Sequence, residues 1–165
     1  MTYDEAFFSM LSSLEPVELT PDLLVYAYTT GFFPMADATG RVQWYSPDPR
    51  AVFELDELQH SVSMRKAVAK AGFTCTVNEA FETVIGACSR RQRADAEDIW
   101  ISDEISAAYC QLHVMGIAHS VETWLHGELV GGLYGVSIGS AFFGESMFSL
   151  VSNASKAAFV YLTQR

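Results

Sequence analysis

Residues 118–149 read AHSVETWLHGELVGGLYGVSIGSAFFGESMFS. Three apolar, aromatic-rich runs, at 118–125, 128–137 and 140–148, are separated by turn residues around His126-Gly127 and Gly139. Such short turns predict three consecutive antiparallel strands. In the third run, strict alternation would put Phe143, Glu145 and Met147 on one face. Phe142, Gly144, Ser146 and Phe148 would share the other. A carboxylate between Phe and Met has to be paired or used, because desolvating it alone is costly. Glu145 is thus either a functional group or a strand-end glutamate that reaches solvent. Gly131, Gly132 and Gly135 remove side chains where a backbone or ligand comes close, or else mark a twist or bulge. His119 and Ser120 point to opposite faces, which argues against a nucleophilic pair. No GxGxxG or GxxxxGK(S/T) phosphate loop is present.

Downstream, 153–164 has the pattern of an amphipathic helix, with Ser152 or Asn153 as its N-cap. Upstream, 61–71 reads as a helix, 73–77 as a strand and 78–88 as a helix with Phe81, Val84, Ile85 and Cys88 inward. A polar, charged loop is expected over 90–98, then a helix from Ser102 to about Met115. Two further helices are expected at 4–14 and 21–31, the second opened by Thr20 and Pro21. Strands at 42–46 and 51–55, broken by Pro47-Asp48-Pro49, would form a hairpin-like unit. The expected division is a small N-terminal unit, 1–60, and a larger domain, 61–165.

Half of the 165 residues are hydrophobic, enough for a sizeable core. The net charge of −10 argues against adhesion to nucleic acid over the whole surface. Basic residues gather at Arg65, Lys66 and Lys70, and again at Arg90, Arg91 and Arg93. Each cluster could follow phosphates or be a solvated helix face or loop. The three scattered cysteines suggest neither a disulfide framework nor a zinc site. With no secretory leader and no run long enough for a bilayer, a cytoplasmic protein is expected, using no metal or cofactor. Trp44-Tyr45-Ser46-Pro47-Asp48-Pro49-Arg50 could hold a rigid aromatic wall for a base, or be a joining loop locked by an Asp48–Arg50 contact. Trp100 is a second stacking candidate, with core packing as the competing use.

The order of elements resembles the first two-thirds of the GNAT-type acyltransferase fold. The fold class expected is α+β: a small N-terminal unit plus an incomplete GNAT-like domain lacking its C-terminal strands. A CoA-dependent activity is opposed by Ser149–Ala154, which has no glycine where a pyrophosphate loop would be.

The segments TPDLLVYAYTTGFFPM (20–35), VQWYSPDPRAVFELDELQHSVSMRK (42–66), IWIS (99–102), AHSVETW (118–124), LVGGLYGVSIG (129–139) and FFGESMFSLVSNASK (142–156) are similar to leucyl/phenylalanyl-tRNA–protein transferases. The resemblance implies transfer of Leu or Phe from aminoacyl-tRNA to a protein beginning with Arg or Lys, marking it for degradation by the N-end rule. It implies that Glu145 is the central polar residue and that Trp100 helps bind the terminal adenosine. Leu133 and Met147 would line the aminoacyl pocket. Trp44 and Phe143 complete the expected substrate-binding set, and the two basic clusters would hold the tRNA. Met35 stands where some members carry Trp. The family pattern continues through a strand with an Asp-x-Gln motif, which has no counterpart up to Arg165. An unpaired edge at 140–148, self-association through it and reduced stability are the resulting expectations. The alternative function is a catalytically dead remnant that binds the aminoacyl-tRNA 3′ end or a peptide N-terminus.

Overall fold

The computed structural model describes residues 2–13, 18–95 and 100–164, side chains excepted at 91–95. It is an α+β arrangement in the order α1 (Tyr3–Ser13), α2 (Pro21–Thr29), β1 (Phe33–Ala36), β2 (Val42–Tyr45), α3 (Val62–Lys70), β3 (Thr74–Val77), α4 (Phe81–Asp95), α5 (Asp103–Val114), β4 (Ala118–Leu125), β5 (Glu128–Ile138), β6 (Ala141–Ser149) and α6 (Ala154–Leu162). The helix starts follow local chemistry. Thr20, Ser61 and Ser102 each accept a hydrogen bond from the backbone N–H three residues on, satisfying a donor that the first turn leaves open. Asn153 occupies the N-cap position of α6 in a left-handed conformation, with no capping bond from its own side chain. Ser149 Oγ does that work, accepting from Ser155 N–H at 3.2 Å.

Among the described residues β1 and β2 form one antiparallel pair, and β3-β4-β5-β6 form an antiparallel sheet of four strands. The three strands read from 118–149 are therefore present, with β3 added beside β4. Three expectations are corrected. Residues 51–55 form no strand, and the partner of β2 is β1, over Phe33–Ala36, where no strand is expected from sequence. Preceded by Pro47 and Pro49 and reaching solvent at Val52, Phe53 and Leu55, the 51–55 segment has no ladder to join. The charged stretch after Cys88 continues α4 to Asp95 rather than opening a loop, because its Arg, Gln and Ala residues are good helix formers. Residues 96–98 of that expected loop lie outside the described residues.

The sheet has two dissimilar faces. Gly132, Tyr134 and Val136 of β5 look toward the core built by α2, α4 and α5, where Leu24, Val84, Ile105, Tyr109 and Leu112 are buried. That same core takes in Phe8 of α1 and Trp44 of β2, so residues before and after position 60 share one cluster. On the other face, Val121 and Leu133 pack under Ala158 of α6. Alpha6 lies so close there that a Cβ on Gly131 would sit 2.5 Å from Ala154 Cβ, so only glycine fits. No described helix is long and apolar enough to cross a membrane.

Candidate active site

The site is built on an irregularity in β6. Tyr134 of β5 pairs with Ser146 of β6, but the next residue, Gly135, pairs with Gly144. Glu145 is the extra residue of a β-bulge, and a bulge re-aims side chains. The alternation expected from sequence therefore fails here. Phe143 joins the core cluster and Glu145 meets Tyr28 of α2 and Tyr109 of α5. Met147 pairs instead with Leu133, on the face that α6 covers. Glu145 and Met147 do not share a face.

Tyr28 Oη donates to Glu145 Oε1 at 2.7 Å, and Tyr109 Oη approaches Oε2 at 3.5 Å. The two phenols also hydrogen-bond each other. Burial pushes the Glu145 carboxyl up to about 7, against the opposing pull of the Tyr28 hydrogen bond, the Arg50 charge and the Tyr109 hydrogen bond. Burial likewise holds both phenols well above their ordinary range, so they remain donors. A carboxylate poised near neutrality, oriented by two fixed hydroxyls, can take up and release a proton at the pH of a cell.

Arg50 closes one side. Its Nη1 donates to the Gly31 carbonyl at 3.1 Å, and its guanidinium lies 4.8 Å from the Phe33 ring centre and 5.7 Å from that of Phe143. The Asp48–Arg50 lock considered from sequence is not among the contacts that hold this loop; Gly31 and the two rings are. From Arg50 the chain runs to Phe53, whose ring is 5.7 Å from Phe159 of α6. Between this segment, β6 and α6 lies a cavity of about 490 Å³, walled by Val52, Phe53, Phe142, Gly144, Phe159 and Leu162 among others. Its size is that of a small-ligand pocket and its walls are mainly apolar.

The other sequence candidates fall as follows. Trp44 is buried 4.9 Å from the Phe8 ring rather than forming an open wall, and its indole N–H has no partner among the described residues. Trp100 is half-buried against the core, and its carbonyl accepts Ala36 N–H at 2.9 Å, which pins the end of β1. Phe143 lies 5.1 Å from the Tyr28 ring, beside Glu145. Leu133 is buried under α6 and Met147 is 52% exposed next to it. Arg65, Lys66 and Lys70 are exposed on α3, which packs on α6, where Lys156 is also exposed. Arg90 lies on α4, across the sheet, so the two basic clusters are not one patch. The side chains of Arg91 and Arg93 lie outside those described. Tyr28, Tyr109 and Arg50 were not found as partners of Glu145 by sequence reasoning. An inward-facing Tyr109 was visible in the helical spacing, but no spacing rule links it to a strand 36 residues later.

A family model described as "Leucyl/phenylalanyl-tRNA protein transferase" matches residues 52–165, and one for the N-terminal domain of the same proteins matches 17–48. The chain belongs to the leucyl/phenylalanyl-tRNA–protein transferase family. It is 55% identical over 150 residues to the member from Gloeobacter violaceus, covering 90% of this chain and 75% of that protein. Identity to the Salinibacter ruber transferase is 50% over 151 residues, covering 91% of this chain and 65% of that protein. For the Chlorobaculum tepidum transferase it is 51% over 140 residues, with coverage of 84% and 72%. The chain thus spans about two-thirds to three-quarters of the length of these three transferases. The Glu145 bulge and all of the cavity lining except Arg50 and Ala51 lie in the 52–165 match, whereas Tyr28 belongs to the N-terminal one.

Proposed function

We propose that this chain is an aminoacyltransferase that moves Leu or Phe from aminoacyl-tRNA to the N-terminal Arg or Lys of a protein, with Glu145 as the group that handles the proton. The observation that carries this reading is the Glu145 carboxyl, raised to about 7 and held by Tyr28, on the residue that directly follows Phe143 and Gly144 in the wall of a ligand-sized apolar cavity. The amine nitrogen attacks the ester carbon, and the bond to the 3′-oxygen breaks. Glu145 takes the proton that the amine sheds and returns it to the departing 3′-oxygen. The ester is already activated, so holding the two reactants in place supplies much of the rate. No metal or nucleotide has a step in this scheme.

The apolar cavity on the α6 side takes the Leu or Phe side chain, with Met147 and Leu133 on the same face of the sheet and Phe143 at the inner end near Glu145. Trp100, beside β1, borders the terminal adenosine. Trp44 supports that end from within the core. Arg65, Lys66 and Lys70, together with Lys156, follow tRNA phosphates, so binding weakens as salt rises. Arg90, Arg91 and Arg93 form a second, separate contact. In this reading residues 1–60 are a small unit carrying Tyr28, and 61–165 are a GNAT-like domain. The setting is the cytoplasm, where free Cys75, Cys88 and Cys110 stay reduced. The outer position of β6 in its sheet favours pairing with a second copy there; light scattering that finds only monomer at high concentration would remove that part.

The test is transfer of labelled Leu and Phe from their tRNAs to peptides that begin with Arg, Lys or Asp. Labelled Arg and Lys peptides with an unlabelled Asp peptide are expected. No labelling by a protein that melts cooperatively would overturn the reading.

A further inference from the structure

The two paired glycines at the bulge differ in the space around them. A Cβ on Gly135 would run into the Phe143 carbonyl and the Phe142 ring, so the fold requires glycine there. A Cβ on Gly144 would meet no heavy atom within 4 Å. Gly144 is also not among the residues with positive φ, so its backbone accepts a side chain without strain. Nothing in the packing of the described residues demands glycine at 144. Gly144 is exposed and forms part of the wall of the cavity of about 490 Å³, with Phe142 and Phe159.

We infer that Gly144 is a specificity-determining position: by presenting bare backbone it leaves the cavity deep enough for an aromatic side chain as well as a branched aliphatic one. This rests on the cavity being the aminoacyl pocket. A methyl at 144 reaches into the space that a phenyl ring would fill, and an isopropyl group reaches further. Leucine has a shorter reach and loses less. Because one methylene in an apolar pocket separates substrates by roughly 10- to 200-fold, a few added carbons are enough to split Phe from Leu. A β-branched residue is well suited to an outer strand, so the substitution leaves the sheet intact.

The experiment compares wild type with Gly144→Ala and Gly144→Val. The readouts are the ratio of Phe to Leu transfer in direct competition, and binding of phenylalaninamide and leucinamide followed by ligand-observed NMR. Thermal melts establish that each variant is folded. The expected result is a Phe:Leu ratio that falls stepwise from Gly to Ala to Val, by about tenfold or more at Val, in both readouts. Parallel loss of both amino acids, or a ratio within about twofold of wild type at Val, overturns the inference. Wild type that binds the amides with this dependence but transfers neither amino acid would sink the proposed reaction and uphold the role of Gly144. Wild type that binds neither amide at millimolar concentration would overturn the role of Gly144 even if transfer is intact.

Discussion

Glu122 and Glu145 are both carboxylates within the same sheet, and they are treated in opposite ways. Glu122 is fully buried in β4, paired in register with Gly132 just ahead of the shift between Thr123 and Trp124. It accepts from Thr76 Oγ1 at 2.6 Å, Ser120 Oγ at 2.5 Å and Ala80 N–H at 3.3 Å, and so ties β3 and β4 to the start of α4. Thr76 in turn accepts from the Trp124 indole at 2.8 Å, which extends the network to the sheet surface. Glu145 sits on a bulge, with two phenols and no backbone donor among the hydrogen bonds found for it. Three donors on a buried acid make a clasp. Fewer donors on an acid beside a cavity leave its charged form costly and its proton available. In the proposed reading, then, what separates the catalytic carboxylate from the structural one is how well its oxygens are satisfied, and not burial alone.

The largest effect expected is on transfer. Glu145→Gln should lower kcat by about 10²–10⁴-fold while the variant still melts cooperatively, since an amide keeps the shape but cannot carry the proton. Undiminished transfer would end the distinction between the two acids. Glu122→Ala should do the reverse. It leaves three donors without an acceptor and should cost about 3 kcal/mol or more in denaturant titration, with transfer per folded molecule preserved. A loss of transfer in folded Glu122→Ala protein, at unchanged stability, would mean that the clasp takes part in chemistry.

A smaller effect follows from the raised carboxyl. Between the ordinary carboxylate value and about 7, the native state binds a proton that the unfolded state has already released. Stability from this group is therefore present at low pH and falls as pH rises through that window. Melts of wild type and Glu145→Gln compared at pH 5 and pH 8 should show the variant gaining on wild type at pH 8, by at most about 3 kcal/mol. A difference independent of pH would show that Glu145 is solvated in both states. The smallest effect is that of Tyr28→Phe. It deletes one hydrogen bond to the charged form, worth about 1 kcal/mol, so the acid limb of the pH–rate profile should move up while the alkaline side holds. An unmoved limb would assign the tuning to burial alone.

The strands of 118–149 were legible because each run is short, alternating or β-rich and bounded by glycine turns. The inward set Phe81, Val84, Ile85 and Cys88 was legible from helical spacing, and all four are buried. Glu145 was legible as a carboxylate in apolar company. Its orientation was not. Alternation assumes a regular ladder, and one extra residue between Ser146 and Gly144 reverses it. Two prolines make the loop after Trp44 rigid enough to suggest an aromatic wall, but α1 covers that side chain and fills its surroundings with Phe8. The segment 51–55 was read as a strand from local propensity, while its fate depended on whether a partner edge was free to pair with it.

What the residues by themselves determined is most of the elements, the family and the candidate central group, because these rest on periodicity, capping and motif, all properties of neighbouring positions. What only the tertiary structure decided is the setting of that group. Tyr28, Tyr109 and Arg50 come to Glu145 from three distant points of the chain. The bulge turns the carboxyl toward them, and the space above Gly144 exists only once α6 and the 50–55 segment have closed around β6. Proton affinity and pocket depth depend on burial and distance, and these exist only in the folded molecule.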